Sequence, residues 1–265
     1  MSHQRLPTKT LKVSMNITLL TNRDLASHIA LGRLIEGLGD HRLSIFLSEK
    51  VGRDHSLPQP LMDLAAFEKE LLNDGRVSFD QLAQRAGCSL QGFVDLNNRV
   101  NGAEGIARIA ATEPDLIISL RFGLIIREPI IALPRLGVIN LHSGVLPTYR
   151  GVMATFRAMQ NNEPEIGSTL HFIQDGGIDN GDIISIARIP LQREKSYLFN
   201  VLNLYTAGCQ QILQAVGELA SGQVINRQPQ QGAIGYYSFP NQAELDSFSA
   251  GGGLLFNRAE ISALK

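Results

Sequence analysis

Short apolar runs and helical periodicity alternate along the first part of the chain. Mostly apolar segments lie at 15–20 and 43–47, and between them apolar residues recur at helical spacing over 29–38, where Gly39 suits a helix end. This β-α-β order is typical of a parallel sheet. A further run at 116–120 is almost wholly apolar, which indicates a central strand covered on both faces.

The same patterns continue to the C-terminal part of the chain. They predict helices at 62–72, 79–85, 103–111 and 151–160, strands at 138–141, 168–173 and 183–189, and a long amphipathic helix over 196–220. Turn-forming residues predict loops at 50–60 and 95–102. The predicted fold is α/β, an open, mostly parallel twisted sheet with helices on both faces. We expect a leader at 1–14, one domain at 15–222, and an extension at 223–265 that is packed on it, largely irregular, with a short helix at 242–248.

Composition narrows the classes of function. The 265 residues are 44% hydrophobic and 18% charged, with a formal net charge of -1, so a globular chain without the basic excess of nucleic-acid binders is expected. No apolar run reaches the ~20 residues of a membrane helix. The first 13 residues lack the apolar segment of a signal peptide, so a cytoplasmic location is expected. Cys88 and Cys209 have no metal-ligand spacing, and no metal is expected.

The strand predicted at 138–141 ends with polar side chains. Asn140 and His142 are separated by one residue, so both point to the same side of the strand. At the carboxyl edge of a parallel sheet, where ligands bind, an amide and an imidazole can stabilise an oxyanion and move a proton. The alternative is a strand end whose polar groups bond to neighbouring loops.

The segment 175–182 holds three aspartates and three glycines. An EF-hand calcium loop would need an oxygen ligand at the third position and Glu at the twelfth, where Gly177 and Ile186 stand, so metal binding is rejected. Two interpretations of this loop remain open: a solvated hairpin turn, and a loop that brings a carboxylate to the histidine.

Neither GxGxxG, GxxxxGKS nor GxSxG occurs in the sequence, which disfavours dinucleotide enzymes, P-loop enzymes and α/β-hydrolases.

Taken together, "GVINLHSGVLPTYRG" at 137–151 and "IGSTLHFIQDGGIDNGDII" at 166–184 resemble the folate-dependent formyltransferase family. The family pattern is Asn-x-His, a Leu-Pro turn and an Asp in a loop of the type Ile-Asp-x-Gly, and Asn140, His142 and Asp179 match it in order. The resemblance implies the formyltransferase fold and 10-formyltetrahydrofolate as donor. It implies that Asn140 bonds the formyl oxygen, His142 supports that oxygen and passes protons, and Asp179 raises the histidine pKa and orders a water.

The resemblance also implies the binding residues. The pterin would lie along the loop after the strand at 116–120, whose other interpretation is a packed connection into Pro129. The implied donor-binding residues are Phe122, Leu124, Ile125, Ile126, Arg127, Gln174, Asp175 and Gly176. Ser143 and Gly144 replace the family's usual Pro-Ser, which reshapes the acceptor side. The implied acceptor-binding residues are Ser143, Gly144, Tyr149, Arg150 and Met153.

The expected acceptor is an amine or hydroxylamine of a small metabolite. Candidates are a siderophore precursor such as hydroxyornithine, or a nucleotide-linked amino sugar, for whose diphosphate Arg23, Arg150 and Arg157 could serve. Glycinamide ribonucleotide is set aside because its phosphate loop is replaced by residues 20–23, and transfer RNA is disfavoured because few cations follow the long helix. Formyltetrahydrofolate hydrolysis and non-catalytic folate or metabolite sensing remain alternatives. A homodimer is one expected assembly, without nucleic acid or membrane partners.

Overall fold

The computed structural model describes residues 13–49 and 57–261. Most of the expected leader and most of the loop predicted at 50–60 lie outside the described residues. Within the described residues, no helix combines the length and apolar character that crossing a bilayer requires.

Six of the described strands correspond to the predicted ones, and three short strands were not predicted. The described strands are β1 (Asn16–Asn22), β2 (Arg42–Ser48), β3 (Leu90–Gly92), β4 (Leu116–Leu120), β5 (Val138–His142), β6 (Arg150–Gly151), β7 (Glu165–Ile173), β8 (Ile183–Pro190) and β9 (Tyr236–Tyr237). The short strands that were not predicted are β3, β6 and β9.

Seven of these strands form one sheet in the order β3-β2-β1-β4-β5-β7-β8. The pairs from β3 to β5 are parallel, and β7 and β8 add an antiparallel edge. The prediction of an open, mostly parallel sheet is confirmed, and the carboxyl ends of five strands meet at one edge. A second, two-stranded sheet pairs β6 with β9.

The described helices occupy the predicted positions with small shifts at their ends, and two short ones were not predicted. They are α1 (Leu25–Gly37), α2 (Gln59–Asn73), α3 (Phe79–Arg85), α4 (Ala103–Ala110), α5 (Glu128–Ile131), α6 (Ala154–Gln160), α7 (Tyr197–Ala220), α8 (Gln242–Ala250) and α9 (Arg258–Ile261).

The helix predicted at 151–160 begins three residues later, at Ala154. The reason is tertiary: β6 pairs with β9, and the N–H of Val152 donates to Tyr237 O at 3.0 Å. A local pattern cannot report this pairing, because the partner strand lies more than eighty residues downstream.

Two apolar clusters cover the two faces of the sheet. Successive residues of β1 alternate between them, with Leu19 in the larger cluster and Leu20 in the smaller one. Helices α1, α2, α3 and α7 pack on the first side, while α4 and α5 pack on the second. Helices on both faces are therefore confirmed, as is the complete burial of β4. The site lies at the carboxyl edge of this three-layer framework.

Candidate active site

The structure brings the three predicted catalytic residues together. Asn140 and His142 end β5, and Asp179 lies in the loop between β7 and β8. The His142 Nδ1 atom is 3.4 Å from Asp179 Oδ2. His142 is 7% exposed and the Asp179 side chain 11% exposed, so their interaction is shielded from water. Of the two interpretations of the 175–182 loop, the geometry matches the one that delivers a carboxylate to the histidine.

The surroundings of Asp179 keep its carboxylate ionised. Burial alone would raise its pKa, but the charge of His142, a hydrogen bond and charge from His171, and the N–H of Gly151 outweigh burial and hold the pKa at about 2. The Gly151 N–H donates to Asp179 Oδ2 at 2.8 Å. A fixed negative charge therefore faces the imidazole over the whole neutral range.

Both ring nitrogens of His142 lie against acceptors. The Nε2 atom is 2.6 Å from the carbonyl oxygen of Tyr149, while Nδ1 faces Asp179. This arrangement suits an imidazolium, which donates from both nitrogens. To pass a proton to a reacting molecule, one nitrogen must exchange its partner.

A second histidine, His171, completes the site and was not predicted. It lies opposite Asn140 in the β5–β7 register. Its Nδ1 atom is 2.9 Å from Phe172 O, which places the proton of a neutral ring on Nδ1. Nε2 then accepts from the Asn140 amide at 3.1 Å. The second amide hydrogen of Asn140 is left for an oxyanion. Because the same Nε2 is 3.5 Å from Asp179 Oδ1, a proton placed on it would bind Asp179 instead.

Gln230, in the C-terminal extension, supports the Asp179 loop. Its side-chain amide donates to Asp179 O and Gly181 O, each at 2.8 Å, and its carbonyl oxygen accepts from Arg150 at 2.7 Å. Asp179 has a φ of +50°, a conformation that is uncommon outside glycine and needs such support. No sequence signal marks Gln230, because it lies in a segment without periodicity.

The two loops expected to bind the donor lie against each other. A Cβ atom built on Gly176 would be 3.5 Å from Arg127 Nη1. Asn101, which was not predicted, holds one loop: its amide donates to Ile125 O at 2.8 Å and its oxygen accepts from Arg127 N at 2.9 Å. The Ile125 side chain stays 47% exposed, so one apolar residue is available to a flat ring.

Other residues expected at the donor site point elsewhere. Ile126 is buried in the smaller core cluster, and Phe122 and Leu124 pack against that cluster. The side chains of Gln174 and Asp175 form hydrogen bonds within their own loop, where they accept from the N–H groups of residues 182 and 177, respectively. The interpretation of 121–127 as a packed connection is therefore correct for part of that loop.

The acceptor side has a tightly packed floor. Ser143 follows His142 and is partly exposed, while Gly144 is buried. A Cβ on Gly144 would stand 2.5 Å from the Ala154 Cβ and 2.7 Å from His142 Nε2. Any side chain at this position would displace the imidazole, so glycine is required by close approach.

The other predicted acceptor residues have partners within the protein. The Tyr149 hydroxyl donates to Glu163 at 2.6 Å, and Arg150 donates to Gln230. Met153 has a φ of +55° and packs against the larger core cluster. Tyr149 and Arg150 therefore support the site through hydrogen bonds within the protein.

The three cations considered for a diphosphate are all engaged. Arg23 pairs with Glu49 at 2.9 Å, and Arg150 bonds Gln230. Arg157 is 5% exposed and pairs with Glu244 of α8, so its assignment to a ligand is wrong. The prediction failed because the partner lies in the extension, 87 positions away.

A partly buried ion pair joins the carboxyl ends of β1 and β4. Arg121 Nε donates to both oxygens of Asp24 at 3.0 and 2.9 Å, and Asp24 also caps α1 by accepting from the Ser27 N–H at 2.8 Å. Arg121 has a φ of +54°. Burial raises the Asp24 pKa, but Arg121 and Ser27 reverse the effect and lower it. The pKa of Glu68 on α2 shifts in the opposite direction, because burial and the charge of Asp24 raise it to about 8.

Replacing Glu68 with glutamine should change how stability depends on pH. Between an ordinary glutamate pKa of 4.5 and about 8, the native protein binds the Glu68 proton more tightly than the unfolded chain does, so stability falls as pH rises. We expect Glu68→Gln to equal wild type at pH 4, below the ordinary pKa of 4.5, and to exceed it at pH 9 by roughly 1–3 kcal/mol, discounted for partial exposure. Urea unfolding at both values measures this. Glu70→Gln on the outer face of α2 is the control, and parallel pH profiles for Glu68→Gln and wild type would contradict it.

Similarity to known proteins agrees with this geometry. Residues 80–198, somewhat less than half of the chain, match the family model described as formyl transferase. A methionyl-tRNA formyltransferase of Ralstonia pickettii is 32% identical over 128 residues, which are 48% of this chain and 39% of that protein. The chain thus spans less than half the length of the curated relatives it matches.

Solved structures extend the likeness to most of the fold. Glycinamide ribonucleotide transformylase 1 of Symbiobacterium toebii has a TM-score of 0.58 at 16% identity, covering 87% of this chain and 99% of that one. An N-formyltransferase of Helicobacter canadensis, solved with folinic acid and dTDP-3-aminofucose, has a TM-score of 0.54 at 17% identity, covering 85% and 71%.

The fold and site define an α/β protein of the formyltransferase architecture. The family match covers Asn140, His142 and Asp179, and the resemblance of this chain to the folate-dependent formyltransferases is confirmed. Among the described residues, no group of three His, Cys, Asp or Glu side chains has the geometry to hold a metal.

Proposed function

We propose that this protein transfers a formyl group from 10-formyltetrahydrofolate to an amine or hydroxylamine nitrogen of a small metabolite. One observation carries the proposal: Asn140, His142 and Asp179 meet at the carboxyl end of β5, with Nδ1 of the histidine 3.4 Å from the carboxylate. Such a group of an amide donor, an imidazole and a fixed charge serves acyl transfer. The proposed catalytic domain is 15–222, with 223–265 completing it.

The reaction needs an attacking amine, support for an oxyanion and a proton for the leaving nitrogen. The neutral amine attacks the formyl carbon, and the carbonyl electrons move to its oxygen, which accepts from the free N–H of Asn140. Collapse reforms the carbonyl and breaks the bond to N10 of the folate. The amine loses one proton and N10 gains one. His142, whose Nδ1 faces the Asp179 carboxylate, stabilises the oxyanion and relays the proton after releasing Tyr149 O.

The donor fits between the loops at 121–127 and 174–179. Folinic acid is a formylated tetrahydrofolate, and the Helicobacter canadensis N-formyltransferase was solved in complex with it. In the present chain Ile125 and Ile178 are 47% and 39% exposed on these loops, and Arg127 contacts the second loop. Exposed apolar side chains on two neighbouring loops suit the faces of a flat ring.

The acceptor class is the less constrained part of the proposal. The curated relative named above is a methionyl-tRNA formyltransferase, but the match covers only 39% of its length. A small amine is favoured by the enclosed floor at Ser143 and Gly144 and by the formal net charge of -1, which offers no attraction to a polynucleotide. An amino-acid-derived siderophore precursor and a nucleotide-linked amino sugar both satisfy these features.

Mass spectrometry can test the transfer directly. The protein is incubated with 10-formyltetrahydrofolate and a panel of amines and hydroxylamines, and each is inspected for a gain of one formyl group. The proposal requires at least one acceptor to be formylated by wild type and not by Asn140→Ala. Release of formate without any amine would indicate hydrolysis instead, while tight folate binding without turnover would indicate a sensor.

Gln230→Ala should slow the transfer without unfolding the protein. The change removes two hydrogen bonds to the backbone of the Asp179 loop, so we expect about a tenfold lower kcat and about 1 kcal/mol less stability. The acceptor KM should change little. Steady-state kinetics and thermal unfolding measure the two effects. Gln231→Ala, at an exposed neighbour, is the control, and equal kcat values for the two variants would refute the supporting role.

A further inference from the structure

A group of polar side chains lies beside the triad and takes no part in the reaction described above. We call it the edge cluster: Asp24 after β1, Arg121 after β4, Glu68 on α2 and Tyr205 on α7. Arg121 and Asp24 form its centre, with Nε 2.9 and 3.0 Å from the two carboxylate oxygens. The charges of Asp24 and Arg121 both act on Glu68, and Arg121 Cζ is 6.0 Å from the Tyr205 ring centre. The cluster therefore stands at the same sheet edge as the triad.

One hydrogen-bonding group of the edge cluster is buried without a hydrogen bond of good geometry. The Tyr205 hydroxyl belongs to a residue that is 2% exposed, yet no hydrogen bond of good geometry satisfies it. Glu68 and Arg121 are only partly buried, so both can reach a ligand, and Arg121 donates to Asp24 through Nε. Buried polar groups are rarely left unpaired, so the Tyr205 hydroxyl beside Arg121 indicates a place that a polar ligand fills.

The edge cluster is close enough to the triad to hold the molecule that reacts there. Ser143 follows His142 directly, and both Ser143 and Arg121 interact with the Tyr205 hydroxyl strongly enough to oppose the rise of its pKa that burial causes. A ligand bound at the cluster would thus lie near Ser143, the residue that follows His142 at the end of β5. The proposed donor loop at 121–127 also begins at Arg121, so donor and acceptor would meet at this residue.

The charges of the cluster select the ligand. Two carboxyl groups surround one guanidinium, which disfavours a diphosphate, and Arg23, Arg150 and Arg157 are all engaged with protein side chains. Glu68 can accept from an ammonium group. The terminal nitrogens of Arg121 can donate to a carboxylate, a planar group that they match in shape.

We infer that the edge cluster binds the zwitterionic head group of an amino acid, with Glu68 on the α-ammonium and Arg121 on the α-carboxylate, and that a side-chain amine or hydroxylamine of this molecule is formylated at the triad. The inference rests on the proposed function for the transfer step alone. Head-group binding stands independently of it. A nucleotide-linked amino sugar, which carries a diphosphate and no such head group, is the class that this arrangement rejects.

Binding of matched analogues tests the inference without turnover. L-ornithine carries both head-group ions, 5-aminopentanoate lacks the α-ammonium, and 1,4-diaminobutane lacks the carboxylate. L-2,4-diaminobutyrate and L-lysine vary the arm length. By isothermal titration calorimetry, at least one of these L-diamino acids should bind wild type, about tenfold or more tightly than the analogue missing either ion. Equal affinities, or no binding of any diamino acid, would overturn the inference.

Variants assign the contacts. Glu68→Gln should abolish the preference for the diamino acid over the analogue without the α-ammonium, while Glu70→Gln on the same helix should keep it. Tyr205→Phe, which keeps the ring and removes the unpaired hydroxyl, should weaken diamino acid binding severalfold with an intact thermal transition. If neither Glu68→Gln nor Tyr205→Phe changes affinity, the site has been misassigned.

Mass spectrometry with 10-formyltetrahydrofolate separates this inference from the proposed function. Glu68-dependent binding of a diamino acid, with no formyl gain on it or on its side-chain hydroxylamine form, would sustain the head-group site and remove the transfer. Formylation of a dTDP-linked amino sugar, unaffected by Glu68→Gln, would sustain the transfer and overturn the head-group site.

Discussion

Asn140→Ala should lower kcat for formyl transfer by about 10²–10³ while leaving the affinity for folate within a factor of a few. The substitution removes the N–H that faces the developing oxyanion, a contact that strengthens only as the carbonyl becomes tetrahedral. It also leaves Nε2 of His171 without its donor. Single-turnover rates with preloaded donor measure the chemical step directly.

Asn226→Ala is the matched control for this experiment. Asn226 is exposed in the C-terminal extension, so its truncation should leave both rate and stability unchanged. Near-wild-type turnover by Asn140→Ala, with folding shown by circular dichroism, would remove the amide from the mechanism and with it the proposed oxyanion site.

Asp179→Asn should lower the rate of formyl transfer by a factor of about 10²–10⁴, because the imidazole of His142 then lacks the negative charge that faces it. The variant should also differ from wild type in acid. The native pKa of about 2 lies below the ordinary value of 3.8, so ionised Asp179 contributes stability above pH 3.8 that is lost as pH falls through 2. The shift corresponds to about 2 kcal/mol of stability. Wild type should lose this amount between pH 5 and pH 2, and Asp179→Asn should not.

Denaturant unfolding at these pH values, together with pH–rate profiles, measures both effects. Because Asp179 stays ionised above pH 4, the wild-type rate should show no acid limb from this carboxylate at higher pH. Asp246→Asn, at an exposed aspartate on α8, is the control for a change of charge alone. An Asp179→Asn protein that retained wild-type turnover would show that the short His142–Asp179 distance has no chemical role.

The sequence was sufficient where a local rule governs the structure. The side-chain alternation of strands placed Asn140 and His142 on one side of β5, and parallel β-α-β order placed them at the ligand-binding edge. The motif carried Asp179 into the same site from a loop whose glycines hold the turn. Spacing alone gave Asn140 and His142, while the resemblance to the formyltransferase family was needed to assign Asp179, because its loop could also have been a solvated turn.

The remainder of the site depends on register and on distant pairing. His171 faces Asn140 only because β5 and β7 pair antiparallel in one of several allowed registers. Gln230 reaches the Asp179 loop, and Glu244 neutralises Arg157, from an extension without periodicity. Glu68 is an unremarkable polar position on an amphipathic helix until α2 is packed beside the ends of β1 and β4. Spacing along the chain cannot give these neighbours.

The reach of Gln230 and β9 back to the triad bears on the order in which a growing polypeptide acquires activity. The three proposed catalytic residues, Asn140, His142 and Asp179, have all been synthesised before residues 228–237 are made. A nascent chain that stops at 198, where the family match ends, would hold the reactive groups without the amide that fixes their loop. We therefore expect catalytic activity to appear only late in synthesis, when the C-terminal extension fixes the Asp179 loop, and not to rise gradually.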